Sequence, residues 1–143
     1  MPGIFHDVYI NASPEHAFEA VTRPEGLNAW WTLDSEGTPE ISTMYRFYFG
    51  PGFNWHAKIC KAAPPHLIVW EFSSADDDWT GTQLCLAFEA MEGGTRLRFE
   101  HTGWLTRNDH FRRSSYCWAQ YLRLLKQYLE HGVSVPYCDR QAA

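Results

Sequence analysis

Long apolar runs are missing from this 143-residue sequence. No segment approaches the roughly 20 consecutive apolar residues that a membrane-spanning helix needs. Residues 1–6 show no basic stretch leading into an apolar one, as a secretion signal would. We therefore expect no membrane partner and a cytoplasmic location.

Positive charge is also scarce. The chain has 12 Lys and Arg residues against 17 Asp and Glu, a formal net charge of −5, and no basic stripe. Because phosphate binding needs a basic surface, nucleic acid is excluded as an expected partner. Four basic residues of the last predicted helix lie mainly off its apolar stripe, and we interpret them as a solvated face: Arg112, Arg113, Arg123 and Lys126.

Cysteine is sparse, and the four residues are far apart in the sequence: Cys60, Cys85, Cys117 and Cys138. Without a CxxC pair, an HExxH motif or a Cys/His cluster, the sequence predicts neither a metal site nor a disulfide framework. Dinucleotide and phosphate loops and the GxSxG elbow are absent as well, so we expect no cofactor. The acidic run at residues 76–78 is typical of a turn and offers too few oxygen ligands for Ca²⁺.

Aromatic residues, in contrast, are abundant. Seven Trp, seven Tyr and nine Phe residues make up 16% of the chain. Such an excess fits either a bulky core or a pocket lined by rings.

Two helical regions are marked by their ends. Ser13-Pro14-Glu15 combines an N-cap residue, a proline and a carboxylate in the first turn, and Pro24 ends that helix and opens a second short one. The last helix is expected over residues 108–132, because a stripe with i, i+3, i+4 and i+7 spacing precedes Gly132. The stripe consists of Phe111, Trp118, Tyr121, Leu122, Leu125, Tyr128 and Leu129.

The rest of the chain has the pattern of β-strands joined by turns. Alternating apolar and polar residues predict strands over residues 4–10, 43–49, 53–61, 66–72, 80–90 and 95–102. Short connections favour antiparallel pairing. A long helix that follows a run of strands must cover one face of their sheet, so the sequence predicts an α+β fold with a single domain over residues 1–143.

Three strings give the chain a resemblance to a known family. Residues 12–22, followed by Pro24-Glu25-Gly26-Leu27 and Trp30-Trp31, resemble the opening of the Hsp90 ATPase activator homologue-like family. Residues 94–104 (GTRLRFEHTGW) resemble its late strand, and residues 118–130 are similar to its last helix. That family belongs to the START/Bet v 1-like (SRPBCC) superfamily. The resemblance implies a helix-grip fold, in which a curved antiparallel sheet wraps around a long C-terminal helix and two short helices follow the first strand. Residues 37–49 depart from it, because they lack the Gly-Gly-rich hairpin often seen in the family.

A helix-grip fold implies a ligand cavity between the last helix and the sheet. By analogy with that fold, we expect Trp30 and Trp31 to close its mouth. From strand alternation and the helical stripe we expect its wall to contain Tyr45, Phe47, Trp55, Val69, Leu84, Leu86, Phe88, Leu97, Phe99, His101, Trp118, Tyr121, Leu122 and Leu125. A register shift of one residue would turn any strand residue to the other face, and a tightly filled core is the competing interpretation.

His101 and Glu71 are the candidate catalytic residues. His101 continues the apolar strand face of Leu97 and Phe99, where an imidazole could act as a general acid or base. A structural histidine is the alternative. Glu71 shares a strand face with Val69 and could point into the cavity, with an exposed position as its alternative.

Binding of a small hydrophobic or aromatic molecule is the first functional hypothesis. The second is a protein-interaction module of the Hsp90-activator type, although the eukaryotic activator carries an additional N-terminal domain that is not seen in this chain. A cofactor-independent cyclase-like or hydratase-like enzyme that uses His101 or Glu71 is the third. A homodimer is compatible with each of them.

Overall fold

A computed structural model describes residues 1–140 of the chain as one antiparallel sheet covered on one face by helices. The strands are β1 (Gly3–Ile10), β2 (Asp34–Glu36), β3 (Met44–Tyr48), β4 (Asn54–Ala63), β5 (Leu67–Ser74), β6 (Gln83–Met91) and β7 (Gly94–Thr102). The helices are α1 (Pro14–Thr22), α2 (Pro24–Trp30) and α3 (Asp109–His131), and a single 3-10 turn follows at Tyr137–Asp139. The predicted α+β class and the predicted order of elements are confirmed.

The sheet has seven strands in the order β1-β7-β6-β5-β4-β3-β2. Neighbours pair antiparallel throughout. The first strand therefore lies beside the last, and α1 and α2 carry the chain from that edge to the opposite edge at β2. None of the helices within residues 1–140 is both long and apolar enough to cross a membrane.

The ends of the helices follow from local chemistry. The Ser13 hydroxyl accepts a hydrogen bond from the backbone N–H of His16 at 3.2 Å, which caps α1. Asn108 caps α3 in the same way by accepting from the Phe111 N–H at 2.9 Å. Gly132 ends α3 with a φ of +68°, a conformation that glycine adopts without a steric penalty. The predicted helix ends are confirmed.

Strand β5 corrects one register prediction. Trp70 pairs with Leu84 and Ile68 with Leu86, and these side chains belong to the core on the helix side of the sheet. Val69 and Glu71 therefore lie on the opposite face. The predicted inward orientation of Val69 is wrong, and of the two positions considered for Glu71 the exposed one is observed. Ile68, Val69 and Trp70 are all buried. The alternation that reveals which face is inward is therefore hidden at this point.

Strand β2 was not predicted from the sequence. Its three residues, Asp-Ser-Glu, pair with β3 at the edge of the sheet, and only Ser35 is buried. So short and polar a strand has no apolar alternation of its own, and its position depends on its partner strand.

The two short helices approach each other closely at Gly26. A Cβ atom at this position would lie 2.6 Å from the Ala20 carbonyl oxygen and 2.7 Å from the Ala20 Cα. The Trp30 indole N–H donates to the same carbonyl at 3.0 Å. The absence of a side chain at Gly26 thus permits the α1–α2 packing that positions Trp30 and Trp31.

We expect Gly26→Ala to destabilise the protein by about 1–3 kcal/mol, because the added methyl would overlap backbone atoms of α1. The sign of the change in the free energy of unfolding is informative, since a Gly→Ala change at an unhindered helical site stabilises a helix by about 1 kcal/mol. Urea unfolding followed by tryptophan fluorescence measures the effect. Glu25→Ala, at the exposed neighbouring position, is the control and should change the free energy of unfolding by less than about 0.5 kcal/mol. A stabilised Gly26→Ala variant would contradict the packing argument.

Candidate functional site

A cavity of about 310 Å³ opens beside the first half of α3. We call it the aromatic cleft. Its walls come from α3, the end of α2, the β3–β4 hairpin, the β5–β6 connection and the C-terminal segment. Its lining residues are Trp31, Phe49, Phe53, Trp55, Asp76, Trp79, His110, Arg113, Ser114, Cys117, Trp118, Tyr121 and Tyr137.

Four indole rings form a continuous inner wall of the cleft. Trp118 lies between Trp31, at 4.9 Å between ring centroids, and Trp79, at 5.7 Å with 27° between the ring planes. Trp79 contacts Trp55 in turn at 4.9 Å. Rings at these separations pack favourably with one another, so the wall exists before any ligand binds.

The interior directly beneath α3 is filled. The region between Trp31, Trp118 and the sheet holds no space for even a water molecule; its neighbours are Val21, Leu27, Trp30, Trp31, Trp70, Leu84, Leu86, Phe99 and Trp118. Trp31 and Trp118 border both this packed interior and the aromatic cleft. These two rings therefore separate the cleft from the core.

The structure divides the predicted cavity residues into three groups. Trp31, Trp55, Trp118 and Tyr121 line the aromatic cleft. A second group packs in the core without lining it: Trp30, Tyr45, Phe47, Leu84, Leu86, Phe88, Leu97, Phe99, His101, Leu122 and Leu125. Val69 and Glu71 form the third group, on the other face of the sheet, where the exposed Glu71 carboxylate accepts from the Gln83 amide at 3.4 Å.

Several cleft residues were missed by sequence reasoning. His110, Ser114 and Cys117 line the cleft from α3, and their i, i+4, i+7 spacing beside the apolar stripe is the signal that could have revealed them. Arg113 is exposed, as predicted, and it also lies at the edge of the cleft. Of the remaining contributors, Trp79 and its neighbours come from connections between strands and Tyr137 comes from the C-terminal segment. Periodicity gives no information in either region.

His101 is fully buried, and both of its ring nitrogens are hydrogen-bonded. The Trp118 indole, which can only donate, donates to Nδ1 at 3.1 Å. The Thr82 hydroxyl donates to the Trp79 carbonyl at 2.6 Å and therefore accepts from Nε2–H of His101 at 2.8 Å. The geometry thus assigns a neutral imidazole with its proton on Nε2.

This environment gives His101 a structural role. Burial, together with the nearby His110, lowers the pKa of His101 from 6.5 to about 3. Its only lone pair is engaged by Trp118, and its side chain does not reach solvent. The hypothesis that His101 acts as a general acid or base is not supported by these surroundings.

A polar rim on the β5–β6 connection faces α3. Asp78 accepts from the His110 ring at 3.0 Å and from the Asn108 amide at 3.1 Å. These hydrogen bonds, led by that of His110, lower the pKa of Asp78. The Trp79 indole N–H donates to the Ser114 hydroxyl at 3.3 Å. Together these contacts hold Trp79 in the cleft wall.

The C-terminal segment supplies the remaining wall. The Tyr137 hydroxyl donates to the Phe49 carbonyl at 3.1 Å. Arg140 is buried and donates to the carbonyls of Asn28, at 2.6 Å, and Thr32, at 3.2 Å. The segment is thereby fastened to the end of α2 beside the cleft. Within residues 1–140, no three His, Cys, Asp or Glu side chains lie close enough together to hold a metal ion.

These observations define a class of protein: a helix-grip protein with an aromatic cleft beside its long helix. The chain belongs to the family of activator of Hsp90 ATPase homolog 1-like proteins, whose model matches residues 11–130. A comparison with curated proteins finds no match.

Solved structures share the fold. The solution structure of the Aha1 dimer from Colwellia psychrerythraea is 32% identical, with a TM-score of 0.84, covering 92% of this chain and 98% of that one. A crystal structure from Staphylococcus saprophyticus is 22% identical, with a TM-score of 0.80 and coverage of 94% and 96%. A Bacillus halodurans protein is 22% identical, with a TM-score of 0.76 and coverage of 91% and 98%. The last two are similar in fold.

The depressed pKa of His101 predicts a loss of stability in acid. Between about pH 6.5 and pH 3 the unfolded state binds a proton at this residue and the folded state does not, so the free energy of unfolding falls as the pH falls through that window. At pH 5 the expected loss relative to pH 7.5 is about 2 kcal/mol from this residue.

His101→Gln should remove that part of the pH dependence while costing about 1–3 kcal/mol at pH 7.5. Urea unfolding at the two pH values measures both effects. His16→Gln, at an exposed histidine, should retain the wild-type dependence. An unchanged dependence in His101→Gln would contradict the assignment of a neutral buried imidazole.

Proposed function

We propose that the protein binds a small aromatic or apolar molecule in the aromatic cleft. The observation that carries this proposal is a solvent-open cavity of about 310 Å³ whose inner wall consists of indole rings. Ligand sites are typically concave, largely apolar and preformed, with a few polar groups at fixed positions. The aromatic cleft has each of these properties.

Two of its rings are held in place by hydrogen bonds rather than by packing alone. Trp79 donates to Ser114 and Trp118 donates to His101. Side chains fixed before binding lose little conformational entropy when a ligand arrives, which favours affinity. The same interactions would hold the faces of these two rings in position for stacking against a planar molecule.

The size of the cleft favours a ligand of two or three fused rings. Its volume of about 310 Å³ is about twice that of an engineered cavity of about 150 Å³ that holds one benzene. Because the region behind Trp31 and Trp118 is filled, the ligand is expected to stack on these rings rather than pass between them.

Bicyclic aromatic compounds should therefore quench tryptophan fluorescence in a saturable manner. Phe53→Ala should weaken the binding about three- to tenfold, because Phe53 lines the cleft and is 48% exposed, so that its removal leaves the core intact. Phe5→Ala is the matched control, since Phe5 is 62% exposed on β1 and lies outside the cleft. No saturable quenching across a panel of bicyclic ligands, or equal losses in both variants, would contradict the proposal.

Self-association is a second proposal, which the relative from Colwellia psychrerythraea favours because that protein is described as a dimer. Phe5 and Tyr9 lie on one face of the edge strand β1, 62% and 58% exposed. Lys126 donates to the Tyr9 carbonyl and Glu130 accepts from the Asn11 N–H. Because α3 thus occupies backbone groups at that edge, we expect contact through side chains rather than through added strands.

Sedimentation analysis over a range of concentrations tests this second proposal. The wild type should show a monomer–dimer equilibrium, and the double variant Phe5→Ser, Tyr9→Ser should shift it towards monomer. Ile41→Ser, at another exposed apolar residue (60%), should leave the equilibrium in place. A wild type that remains monomeric at every concentration would contradict it.

Activation of an Hsp90 ATPase is a separate expectation from the family, and adding the protein to an Hsp90 ATPase assay tests it.

A further inference from the structure

We propose that the aromatic cleft selects planar aromatic acids, and that Arg113 binds the carboxylate of the ligand. This inference rests on the proposed function and adds the chemical class of the ligand to it. It follows from the charges and hydrogen-bonding groups around the cleft.

Arg113 is the arginine of the cleft lining, and it forms no ion pair with any of residues 1–140. No carboxylate within residues 1–140 lies within 4.0 Å of its guanidinium. Arg46 and Arg96, in contrast, each contact two carboxylates. A guanidinium presents paired N–H groups that match the two oxygens of a carboxylate. Arg113 therefore offers an anion site beside a wall of rings.

The acidic residues near the cleft are directed at His110 rather than at Arg113. Asp78 accepts from His110 and from Asn108. Asp76 lines the cleft, and its carboxylate lies 3.9 Å from His110 Nε2. The negative charge of the rim is thus gathered on one side, around a histidine. This arrangement leaves Arg113 available to an anionic ligand.

Three other polar groups of the cleft can donate hydrogen bonds. The indole N–H groups of Trp31 and Trp55 donate no hydrogen bond to any residue within 1–140. Ser114 accepts from Trp79, so its own hydroxyl hydrogen remains to be donated. A ligand that brings acceptors satisfies these groups, whereas a ligand that brings only donors does not. A carboxylate brings two charged acceptor oxygens.

Aromatic ammonium compounds are the opposing class. Indole faces attract cations, and Asp76 could pair with an ammonium group. The two classes differ in which rim residue they need, because an acid needs Arg113 and an ammonium needs Asp76. The experiment therefore compares three ligands that share one ring system and carry a negative charge, no charge or a positive charge.

The probes are naphthalene-2-carboxylate, naphthalene-2-carboxamide and 2-naphthylmethylammonium. Titrations at neutral pH are followed by ¹H–¹⁵N spectra, in which the indole N–H signals of the seven tryptophans locate the bound ligand. The carboxylate should bind about three- to tenfold more tightly than the isosteric carboxamide, the range expected for a charge-assisted contact at a partly exposed rim. Arg113→Gln should bring the ratio of the two dissociation constants close to one. Arg112→Gln, which changes an exposed arginine outside the cleft on the same helix, should preserve the ratio.

Each outcome separates the inference from the proposed function. If none of the three probes shifts the signals of the cleft tryptophans, the proposed function itself fails. If the carboxylate and the carboxamide bind equally to the wild type, or if the ammonium binds most tightly, ligand binding stands and the selection of acids is overturned. If Arg113→Gln preserves the preference for the carboxylate, the role of Arg113 is overturned. The wild-type comparison requires no variant, so a folding defect cannot obscure it.

Discussion

The hydrogen bond from the Trp118 indole to His101 is the interaction on which the arrangement of this molecule depends. Trp118 is the widest side chain of the α3 stripe, and its N–H needs an acceptor because the residue is buried. His101 on β7 supplies that acceptor. It donates in turn to the Thr82 hydroxyl, which donates to the Trp79 carbonyl. One buried chain of hydrogen bonds therefore joins the helix, the sheet and the β5–β6 connection. It also fixes the ring that separates the core from the aromatic cleft.

The position of the cleft follows from the way wide rings fill space. Trp30, Trp70 and Phe99 occupy the volume between helix and sheet so completely that no water fits there. Protein interiors tolerate neither voids nor overlap. Because these side chains fill the interior, the cavity lies at the side of the molecule, beside the first half of α3. A sequence this rich in aromatic residues was compatible with a filled core or with a lined pocket. The structure contains both, with Trp31 and Trp118 as the boundary between them.

Local chemistry explains which features could be predicted from the sequence. The cap at Ser13, the stop at Gly132 and the α3 stripe depend on neighbouring residues, and the structure confirms each of them. The predicted orientation of β5 was wrong because Ile68, Val69 and Trp70 are all buried. An uninterrupted apolar run does not reveal which face of the strand is inward. Most of the cleft could not be predicted from the sequence, because its walls come together only when segments distant in the chain pack against one another. His110 and Arg113 carry helical spacing, but the loop that faces them carries no comparable signal.

Fold and binding chemistry are separable in this molecule. The helix-grip architecture recurs at 22% identity, so many different sets of side chains can build it, and the fold alone says nothing about a ligand. This chain combines a closed interior with an open, ring-lined cleft and an arginine at the edge of the cleft. The interior contributes indirectly, since its packing and its buried hydrogen bonds hold the indole wall in place. Under the proposed function, the few side chains at the rim would therefore select the ligand, while the core determines how rigidly the indole wall is presented.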